Sequence, residues 1–228
     1  IMKGKDCFVV MPTGGGKSLC YQIPAIVRDG VGIVVSPLIA LMKDQVDNLK
    51  ASGIDTSVFI NSSIRTPIER KIRSEQMIRG YYQFVFISPE RFLIKEFRDF
   101  LKSMIDTNIT YCVVDEAHCV SEWGHDFRTA YLKLGENAKK YCNTLVKQKN
   151  DDGILEKSVP LIGLTGTASF DVLADVKREL RILDKSAIVR PSKYERKELN
   201  FDMINVGEPE IPSGSDVMKI SQLVAAQK

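Results

Sequence analysis

A glycine-rich loop between an apolar run and a helix-like segment constrains the fold more than any other feature of the chain. The apolar run Cys7–Val10 leads into Met11-Pro12-Thr13-Gly14-Gly15-Gly16-Lys17-Ser18, and a helical pattern continues through Ile23. Glycines let backbone amides face a small concave site, because no Cβ blocks the approach. Those amides and the N-terminus of the next helix form a nest for phosphate oxygens. The pattern predicts a buried strand, a phosphate-binding loop and a helix that begins at Lys17.

The residue types in this loop favour a nucleoside triphosphate with Mg²⁺ as its ligand. Lys17 would reach the β- and γ-phosphates, and the Ser18 hydroxyl would coordinate the metal. The strict pattern has a glycine where this chain has Met11, and Gly14 supplies the flexibility instead. The alternative is a simple glycine turn with a solvated lysine. The predicted nucleotide-binding residues are Thr13, Gly14, Gly15, Gly16, Lys17 and Ser18.

The composition limits the number of domains and the cellular compartment, but it does not identify a binding partner. A chain of 228 residues fits one large domain, or one domain and part of another. The net charge of +3 neither demands nor excludes nucleic acid, so any such surface must be local. The five cysteines form no C-x-x-C pair and favour reduced core thiols. No segment is long and apolar enough to cross a membrane, so we expect no membrane partner and a reducing compartment.

A second apolar run ends in Asp115, Glu116 and His118. An NTPase needs a carboxylate at a strand end to hold Mg²⁺, and Asp115 fits that role. A second group must orient and deprotonate water, and Glu116 fits it. Adjacent carboxylates repel unless a cation lies beside them, so the pair itself favours a metal. His118 is interpreted as a link between the γ-phosphate region and a neighbouring segment, and the alternative is a histidine of the core. For Asp115 and Glu116 the alternative is a pair of exposed acids that cap a helix.

The segment after these acids concentrates aromatic and cationic side chains. It contains Trp123, His125, Phe127 and Arg128, and Trp123 is the only tryptophan of the chain. Rings stack on bases and cations contact phosphates, so the composition favours single-stranded nucleic acid as the ligand. The alternative is that the two aromatic residues belong to the core of the next helix.

Continuous apolar runs alternate with helical patterns along most of the chain. This pattern is typical of a parallel sheet covered by helices on both faces, so the predicted fold is a doubly wound α/β domain. A capping box at Thr66–Glu69 predicts a helix start, and Gly53 and Gly80 predict helix ends. The predicted strands are Cys7–Val10, Gly32–Ser36, Ser57–Ile60, Phe84–Ser88, Tyr111–Val114, Leu161–Leu164 and Ala187–Val189.

Two segments depart from this alternation. Residues 143–158 are polar and charged, and they predict a surface loop. Beyond Pro191 the composition changes, with a Pro/Gly-rich stretch at 207–214. We therefore expect a first domain over residues 1–192, and a linker with the start of an incomplete second domain over residues 193–228.

With these residues in view, the chain resembles the first RecA-like motor domain of superfamily 2 helicases and, more narrowly, the RecQ family of DNA helicases. The segment directly after Asp115–His118 is the most specific match, since phosphate loops and acid pairs occur in many NTPases. Gly166 stands where the family has alanine, which would loosen that turn. The matching segments are Met11–Ala25, Ser36–Gln45, Ser88–Arg91, Asp115–His118, Cys119–Arg128 and Gly163–Ala168.

The resemblance implies a RecA-like P-loop NTPase fold, ATP and Mg²⁺ as cofactors, and a division of roles among the motifs. Ser36 and Ser88 also fit helix starts, with serine at the N-cap and proline at N1, a geometry that itself binds phosphate. The basic residues Arg91, Lys95, Arg98 and Lys102 are interpreted as a solvated helix face. The implied residues are Lys17, Asp115, Glu116 and His118 for catalysis; Ser18 and Asp115 for the metal; and Ser36, Ser88, Trp123, His125, Phe127, Arg128, Thr165 and Thr167 for DNA contact and coupling.

The implied activity is 3′–5′ ATP-dependent DNA unwinding in repair, recombination or replication, in the nucleus of a eukaryote or otherwise in the cytoplasm. The implied partners are single-stranded DNA, duplex DNA and a second RecA-like lobe of the same chain. The family's upstream adenine-reading segment and its second-lobe arginine are not visible in this sequence, so we expect little unwinding by this chain alone. The alternatives are an RNA helicase of the same superfamily and a nucleotide-gated nucleic-acid binding module.

Overall fold

A computed structural model of the chain describes residues 1–64, 66–105, 107–121, 129–147, 154–166, 170–182 and 184–190. In these ranges the strands are β1 (Cys7–Val10), β2 (Val31–Val35), β3 (Ser57–Ile60), β4 (Phe84–Ile87), β5 (Ile109–Val114), β6 (Thr144–Lys147), β7 (Ile154–Lys157), β8 (Leu161–Thr165) and β9 (Ile188–Val189). Seven of them form one parallel sheet in the order β3-β4-β2-β5-β8-β1-β9. The seven predicted strands are these seven.

Helices cover both faces of this sheet. They are α1 (Leu19–Val27), α2 (Ile39–Ala51), α3 (Pro67–Ile78), α4 (Lys95–Lys102), α5 (Leu134–Tyr141) and α6 (Phe170–Glu179). Short 3₁₀ turns occupy Pro89–Leu93, Ala117–Val120, Thr129–Tyr131 and Lys185–Ala187.

Successive strand residues point into two separate cores. Phe8 packs in one core with residues of α3 to α6, while its neighbour Val9 packs in the other core with residues of α1 and α2. Strands buried on both faces carry continuous apolar runs, which is why the sequence pattern is continuous and not alternating. The predicted fold class, a doubly wound parallel sheet flanked by helices, is confirmed.

Local helix signals are partly confirmed. Thr66 caps α3, where its hydroxyl accepts a hydrogen bond from the Glu69 amide at 3.2 Å. Gly53 and Gly80 follow α2 and α3 with φ of 82° and 71°, in the left-handed region that glycine adopts freely. The first helix differs from the prediction, because α1 begins at Leu19 after a turn and not at Lys17.

The predicted helix start at Ser36 is wrong, whereas the one at Ser88 is confirmed. The Ser36 amide donates to the Ile87 carbonyl at 3.0 Å, which extends the sheet by one residue, and α2 begins only at Ile39. Ser88 is the N-cap of the Pro89–Leu93 turn, with proline at N1.

The prediction of a loop over residues 143–158 is wrong for both of its flanks. Strands β6 and β7 pair antiparallel as a hairpin, with Thr144 opposite Lys157. The Thr144 hydroxyl anchors the hairpin, because it lies 3.0 Å from both the amide nitrogen and the carbonyl oxygen of Ile109 in β5. The hairpin tip, residues 148–153, lies outside the described residues.

The remaining bulk expectations concern cysteines, membranes and the C-terminal segment. All five cysteines lie in the described ranges and are free thiols, three of them buried. Within the same ranges, every helix is too short or too polar to cross a bilayer. The expected domain boundary after residue 192 lies outside the described residues and stays a prediction.

Candidate functional site

One edge of the sheet gathers most of the sequence-predicted site. Parallel strands end at the same edge, so residues that follow different strands become neighbours there. In this fold the order of strands places β8 between β1 and β5. The glycine loop begins at Met11, directly after β1. The predicted residues at or just beyond the other strand ends are Ser36 after β2, Ser88 after β4, Asp115 after β5 and Thr165 at the end of β8.

The glycine loop after β1 needs glycine for two separate reasons. Gly14 and Gly16 have φ of 78° and 83°, which a side chain would disfavour. A Cβ at Gly15 would lie 2.9 Å from the Pro12 carbonyl oxygen, the atom that accepts a hydrogen bond from the Gly15 amide. The loop therefore has the room for close approach of a phosphate that the sequence pattern predicts.

Lys17 lies against the end of β8. A Cβ built on Gly166 would be 2.8 Å from Lys17 Nζ and 3.4 Å from Thr13 Oγ1. The loop is also tied to β8 directly, because the Met11 amide donates to the Thr165 carbonyl at 3.0 Å. Gly166 thus provides the space that the Lys17 ammonium group occupies here, a role in addition to the loosened turn that the sequence suggests.

Asp115 is a mostly buried carboxylic acid at the end of β5. Its backbone amide donates to the Val35 carbonyl at 2.8 Å, and its Oδ1 accepts from the Glu116 amide at 3.0 Å. Burial, and secondly the charge of Glu116, raise the pKa of Asp115 to about 6. The positive charges of Lys17 and His118 oppose this rise in pKa without cancelling it. A carboxylate held under such repulsion is a favourable position for a cation.

Glu116, His118 and Thr165 form a connected polar group. His118 Nδ1 lies 2.9 Å from Thr165 Oγ1 and 3.3 Å from Glu116 Oε2. Hydrogen bonding of the ring to Cys119, and secondly to Glu116, raises the pKa of His118 to about 10. The same bond from His118 lowers the pKa of Glu116. At neutral pH we therefore expect an ionised Glu116 and a protonated His118 whose Nδ1–H faces both acceptors.

The backbone of Glu116 is strained, with φ of 46° and ψ of 48°. A non-glycine residue adopts this left-handed conformation at a cost of about 1–3 kcal/mol, and such residues cluster at functional sites. The conformation turns the chain sharply from β5 into the Ala117–Val120 turn, which brings His118 back towards β8.

Gln45 is a site residue to which sequence reasoning gave no role. Its Nε2 lies 3.4 Å from Ser18 Oγ, and its Oε1 accepts hydrogen bonds from Tyr21 and Gln22 at 3.3 and 3.5 Å. Gln45 lies on α2, 27 residues after Ser18, so only the packing of α1 beside α2 brings them together. Its place at the end of the Ser36–Gln45 segment was the one available signal.

Ser36, Ser88 and Arg91 are all buried. Ser36 and Ser88 are 3% and 9% exposed, and the Ser36 hydroxyl has no hydrogen-bond partner in the described part of the chain. The interpretation of Arg91 as part of a solvated face is wrong, because Arg91 is buried and donates to the Asn61 carbonyl at 3.0 Å. Burial, and secondly the nearby Arg70 charge, lower the pKa of Arg91.

Five predicted coupling residues lie outside the described residues. They are Trp123, His125, Phe127, Arg128 and Thr167. Their predicted contacts with DNA, and the contacts of Ser36 and Ser88, stay predictions.

The donor set suits a hard cation that takes part of its coordination from a ligand. In the described part of the chain, no group of three or more His, Cys, Asp or Glu side chains could hold a metal. Asp115 supplies a carboxylate and Ser18 a hydroxyl, the oxygen donors that Mg²⁺ prefers, and Mg²⁺ in nucleotide sites is held by one or two carboxylates and the phosphates. The residues present therefore fit Mg²⁺ with a nucleoside triphosphate.

Comparison with known protein families gives one match that covers most of the chain. The family model for DEAD/DEAH box helicases matches residues 1–176.

Individual relatives extend that match. The chain is 33% identical over 227 residues to the ATP-dependent DNA helicase RecQ of Haemophilus influenzae, covering all of this chain and 32% of the relative. It is 41% identical over 182 residues to the probable ATP-dependent DNA helicase RecS of Bacillus subtilis, covering 80% of this chain and 32% of the relative. The chain therefore spans about a third of the length of these relatives, and the resemblance to RecQ helicases is confirmed.

Solved structures share the fold at lower identity. The helicase Lhr of Mycobacterium smegmatis, bound to single-stranded DNA and AMP-PNP, aligns with a TM-score of 0.58 at 22% identity, over 83% of this chain and 24% of that one. The Hef helicase domain of Pyrococcus furiosus aligns with a TM-score of 0.53 at 18% identity, over 83% of this chain and 35% of that one.

Proposed function

Since the chain belongs to the DEAD/DEAH box helicase family, we propose that it is the ATP-binding motor lobe of a RecQ-type ATP-dependent DNA helicase. The observation that carries the proposal is the meeting of three segments at one sheet edge. Lys17 of the glycine loop lies against Gly166 beyond β8, and its charge acts on both Asp115 and Glu116 beyond β5. A triphosphate with its metal needs these three elements within reach of one another.

The chain's own residues divide the chemistry among themselves. Amides of Gly14–Ser18 would bind phosphate oxygens, and the Lys17 ammonium group, which lies beside Gly166, would contact the phosphates. Asp115 and the Ser18 hydroxyl would hold Mg²⁺, which would offset the charge that develops on the transferred phosphoryl group.

Glu116 acts as the general base towards water. The hydrogen bond from His118 lowers the pKa of Glu116 and orients its carboxylate, which is ionised at neutral pH and able to accept a proton. His118 contacts both Glu116 and Thr165, so it connects this acid to the segment that leads into α6. In this scheme the aromatic-rich segment 122–128 contacts single-stranded DNA, and Thr165 and Thr167 couple that contact to hydrolysis.

The proposal extends to the whole protein. It includes a second RecA-like lobe that supplies an arginine to the phosphates, 3′–5′ movement on single-stranded DNA, separation of duplex DNA, and a role in repair, recombination or replication. In a eukaryotic cell the protein would act in the nucleus, and otherwise in the cytoplasm. The names of the RecQ and RecS relatives support the DNA substrate; the direction of movement rests on the family resemblance alone.

ATPase assays on the full-length protein test this function. We expect single-stranded DNA to stimulate hydrolysis more than single-stranded RNA, and Lys17→Ala and Glu116→Gln to abolish it. Trp123→Ala should retain basal hydrolysis and lose the stimulation. Equal rates with and without DNA in the wild type would reject the motor, while stronger stimulation by RNA would favour an RNA helicase. Undetectable hydrolysis would favour a nucleotide-gated binding module. Unwinding assays on partial duplexes with a 3′ or a 5′ single-stranded tail establish the direction of movement.

A further inference from the structure

The Ala117–Val120 turn is tied to the β8–α6 segment at both of its ends. At the start of the turn, His118 Nδ1 lies 2.9 Å from Thr165 Oγ1. Just after its end, the Ser121 hydroxyl donates to Asp175 Oδ2 of α6 at 2.8 Å. Cys119 and Val120 between these two contacts are buried in the core that also contains residues of α6. The turn that follows the two site acids is thus fixed to the segment that follows Gly166.

The carboxylate of Asp175 is unusual in its position. Ser121 is fully buried and Asp175 is only 9% exposed. A carboxylate that has lost most of its water needs hydrogen-bond donors in exchange. One oxygen, Oδ2, faces inward to Ser121, and the other, Oδ1, lies 3.0 Å from a guanidinium nitrogen of Arg178. The Arg178 side chain is 71% exposed, so this outer ion pair contributes little. The inner, charge-assisted hydrogen bond is the stronger link.

We propose that Asp175 is a positioning residue for the hydrolytic site, and that it acts through Ser121 to hold the Ala117–Val120 turn against β8. The inference rests on the proposed function, because it concerns coupling within the same motor. The hydrogen bond and the ion pair that Asp175 makes in the described part of the chain go to Ser121 and Arg178, neither of which belongs to the phosphate loop or the acid pair. Its effect reaches Glu116 through the turn: displacement of the turn lengthens the His118–Thr165 contact of 2.9 Å and moves the His118 ring away from Glu116 Oε2, which lies 3.3 Å from it.

The same link fixes the residue that precedes the predicted DNA-contacting segment. Ser121 is directly followed by residues 122–128, to which the family resemblance assigns DNA contact. Ser121 is hydrogen-bonded to Asp175 of α6. This bond gives a short physical route between DNA contact and the Thr165–Gly166 segment that leads into α6. We therefore expect Asp175 to govern DNA stimulation of hydrolysis more than binding of ATP.

The test measures ATP hydrolysis by the full-length protein with and without a single-stranded oligonucleotide. Ser121→Ala and Asp175→Ala should leave the KM for ATP within twofold of the wild type and lower the DNA-stimulated kcat at least tenfold. Asp175→Asn keeps an acceptor oxygen for Ser121, so it should retain stimulation within threefold of the wild type. Arg178→Ala removes only the exposed ion pair and is the matched control, with wild-type kinetics expected.

Three outcomes overturn the inference or the function beneath it, and they are distinguishable. Full stimulation in Ser121→Ala and Asp175→Ala, with only a lower melting temperature, shows that the pair merely stabilises the fold. An equal loss in Arg178→Ala shows that the outer ion pair is the important one. Absent stimulation in the wild type rejects the proposed function itself. If Asp175→Ala does not fold, Ser121→Ala decides the test, since it removes a single oxygen atom.

Discussion

Replacement of Asp115 by asparagine should stabilise the protein while abolishing its proposed chemistry. Burial, with the adjacent Glu116 charge, raises the pKa of Asp115 from 3.8 to about 6. A pKa that is one pH unit higher in the folded than in the unfolded state corresponds to about 1.4 kcal/mol, so the ionised side chain destabilises the folded state by about 3 kcal/mol at pH 7 and above. Asparagine has nearly the same shape, keeps an oxygen for the Glu116 amide, and cannot ionise.

The sign of the pH dependence follows from proton linkage. The folded pKa lies above the unfolded one, so between about pH 4 and pH 6 the folded wild type binds more protons than the unfolded chain, and its stability falls as the pH rises. The advantage of Asp115→Asn should therefore be small at pH 4, grow through this window and reach its full value of about 3 kcal/mol near pH 7. A nearby cation removes the same penalty, so the measurement must exclude Mg²⁺ and nucleotide.

Chemical denaturation followed by circular dichroism in EDTA gives the required free energies of unfolding. The matched control is Asp47→Asn on the exposed side of α2, which should change stability by less than about 0.5 kcal/mol at any pH in the range. If Asp115→Asn unfolds at the wild-type denaturant concentration at pH 8, or if its advantage is the same at pH 4 and pH 8, the electrostatic account of this site is wrong.

Four further predictions concern the same sheet edge and the helices that pack beside it. Gly135→Ala should destabilise the fold by about 1–3 kcal/mol in denaturation, because its Cβ would lie 2.3 Å from the Glu179 carbonyl oxygen. Gly166→Ala meets the movable end of Lys17 and lies at ordinary contact distance from Thr13 Oγ1, so it should change stability by less than about 0.5 kcal/mol; a larger loss than for Gly135→Ala would contradict the packing argument. Gln45→Ala should weaken binding of a fluorescent ATP analogue about two- to fivefold by releasing the Ser18 hydroxyl, and unchanged affinity would deny Gln45 a role. Mg²⁺-dependent nucleotide binding should weaken about tenfold between pH 7 and pH 5, since protonated Asp115 cannot hold the ion, and an equal loss in Asp115→Asn would assign the effect to the nucleotide instead.

The sheet could be predicted from sequence because each of its strands has a purely local cause. A strand buried on both faces must be apolar at every position, and runs such as Phe84–Ile87 are too short and too β-branched or aromatic to suggest a helix. The helix ends at Gly53 and Gly80 were equally local, since a left-handed residue after a helix favours glycine.

The hairpin at Thr144–Lys157 could not be predicted, because its cause is not local. Its strands are four residues long and carry lysine and threonine, which is also typical of a loop. What fixes the hairpin to the fold is the Thr144 hydroxyl at the backbone of Ile109, 35 residues away. The error at Ser36 has the same origin. A Ser-Pro pair favours a helix start, but the Ser36 amide donates a hydrogen bond to Ile87 of the neighbouring strand β4 and so continues the sheet.

The candidate site shows the same division between what is local and what is not. Lys17, Ser18, Asp115 and Glu116 could be named in advance, because each follows a strand whose end is set by its own sequence, and parallel strands end together.

The partners of Ser18 and Lys17 could not be named in advance, since each is contributed by another element: Gln45 by α2 to Ser18, and Gly166 by the end of β8 to Lys17. The same is true of Asp175, which α6 contributes to Ser121. In the proposed motor, these contacts join side chains of different elements, so they are able to change when nucleotide or DNA binds while the sheet stays intact. We therefore expect substitutions at the strand ends to abolish hydrolysis, substitution of Gln45 to weaken nucleotide binding, and substitution of Asp175 to change the response of hydrolysis to DNA.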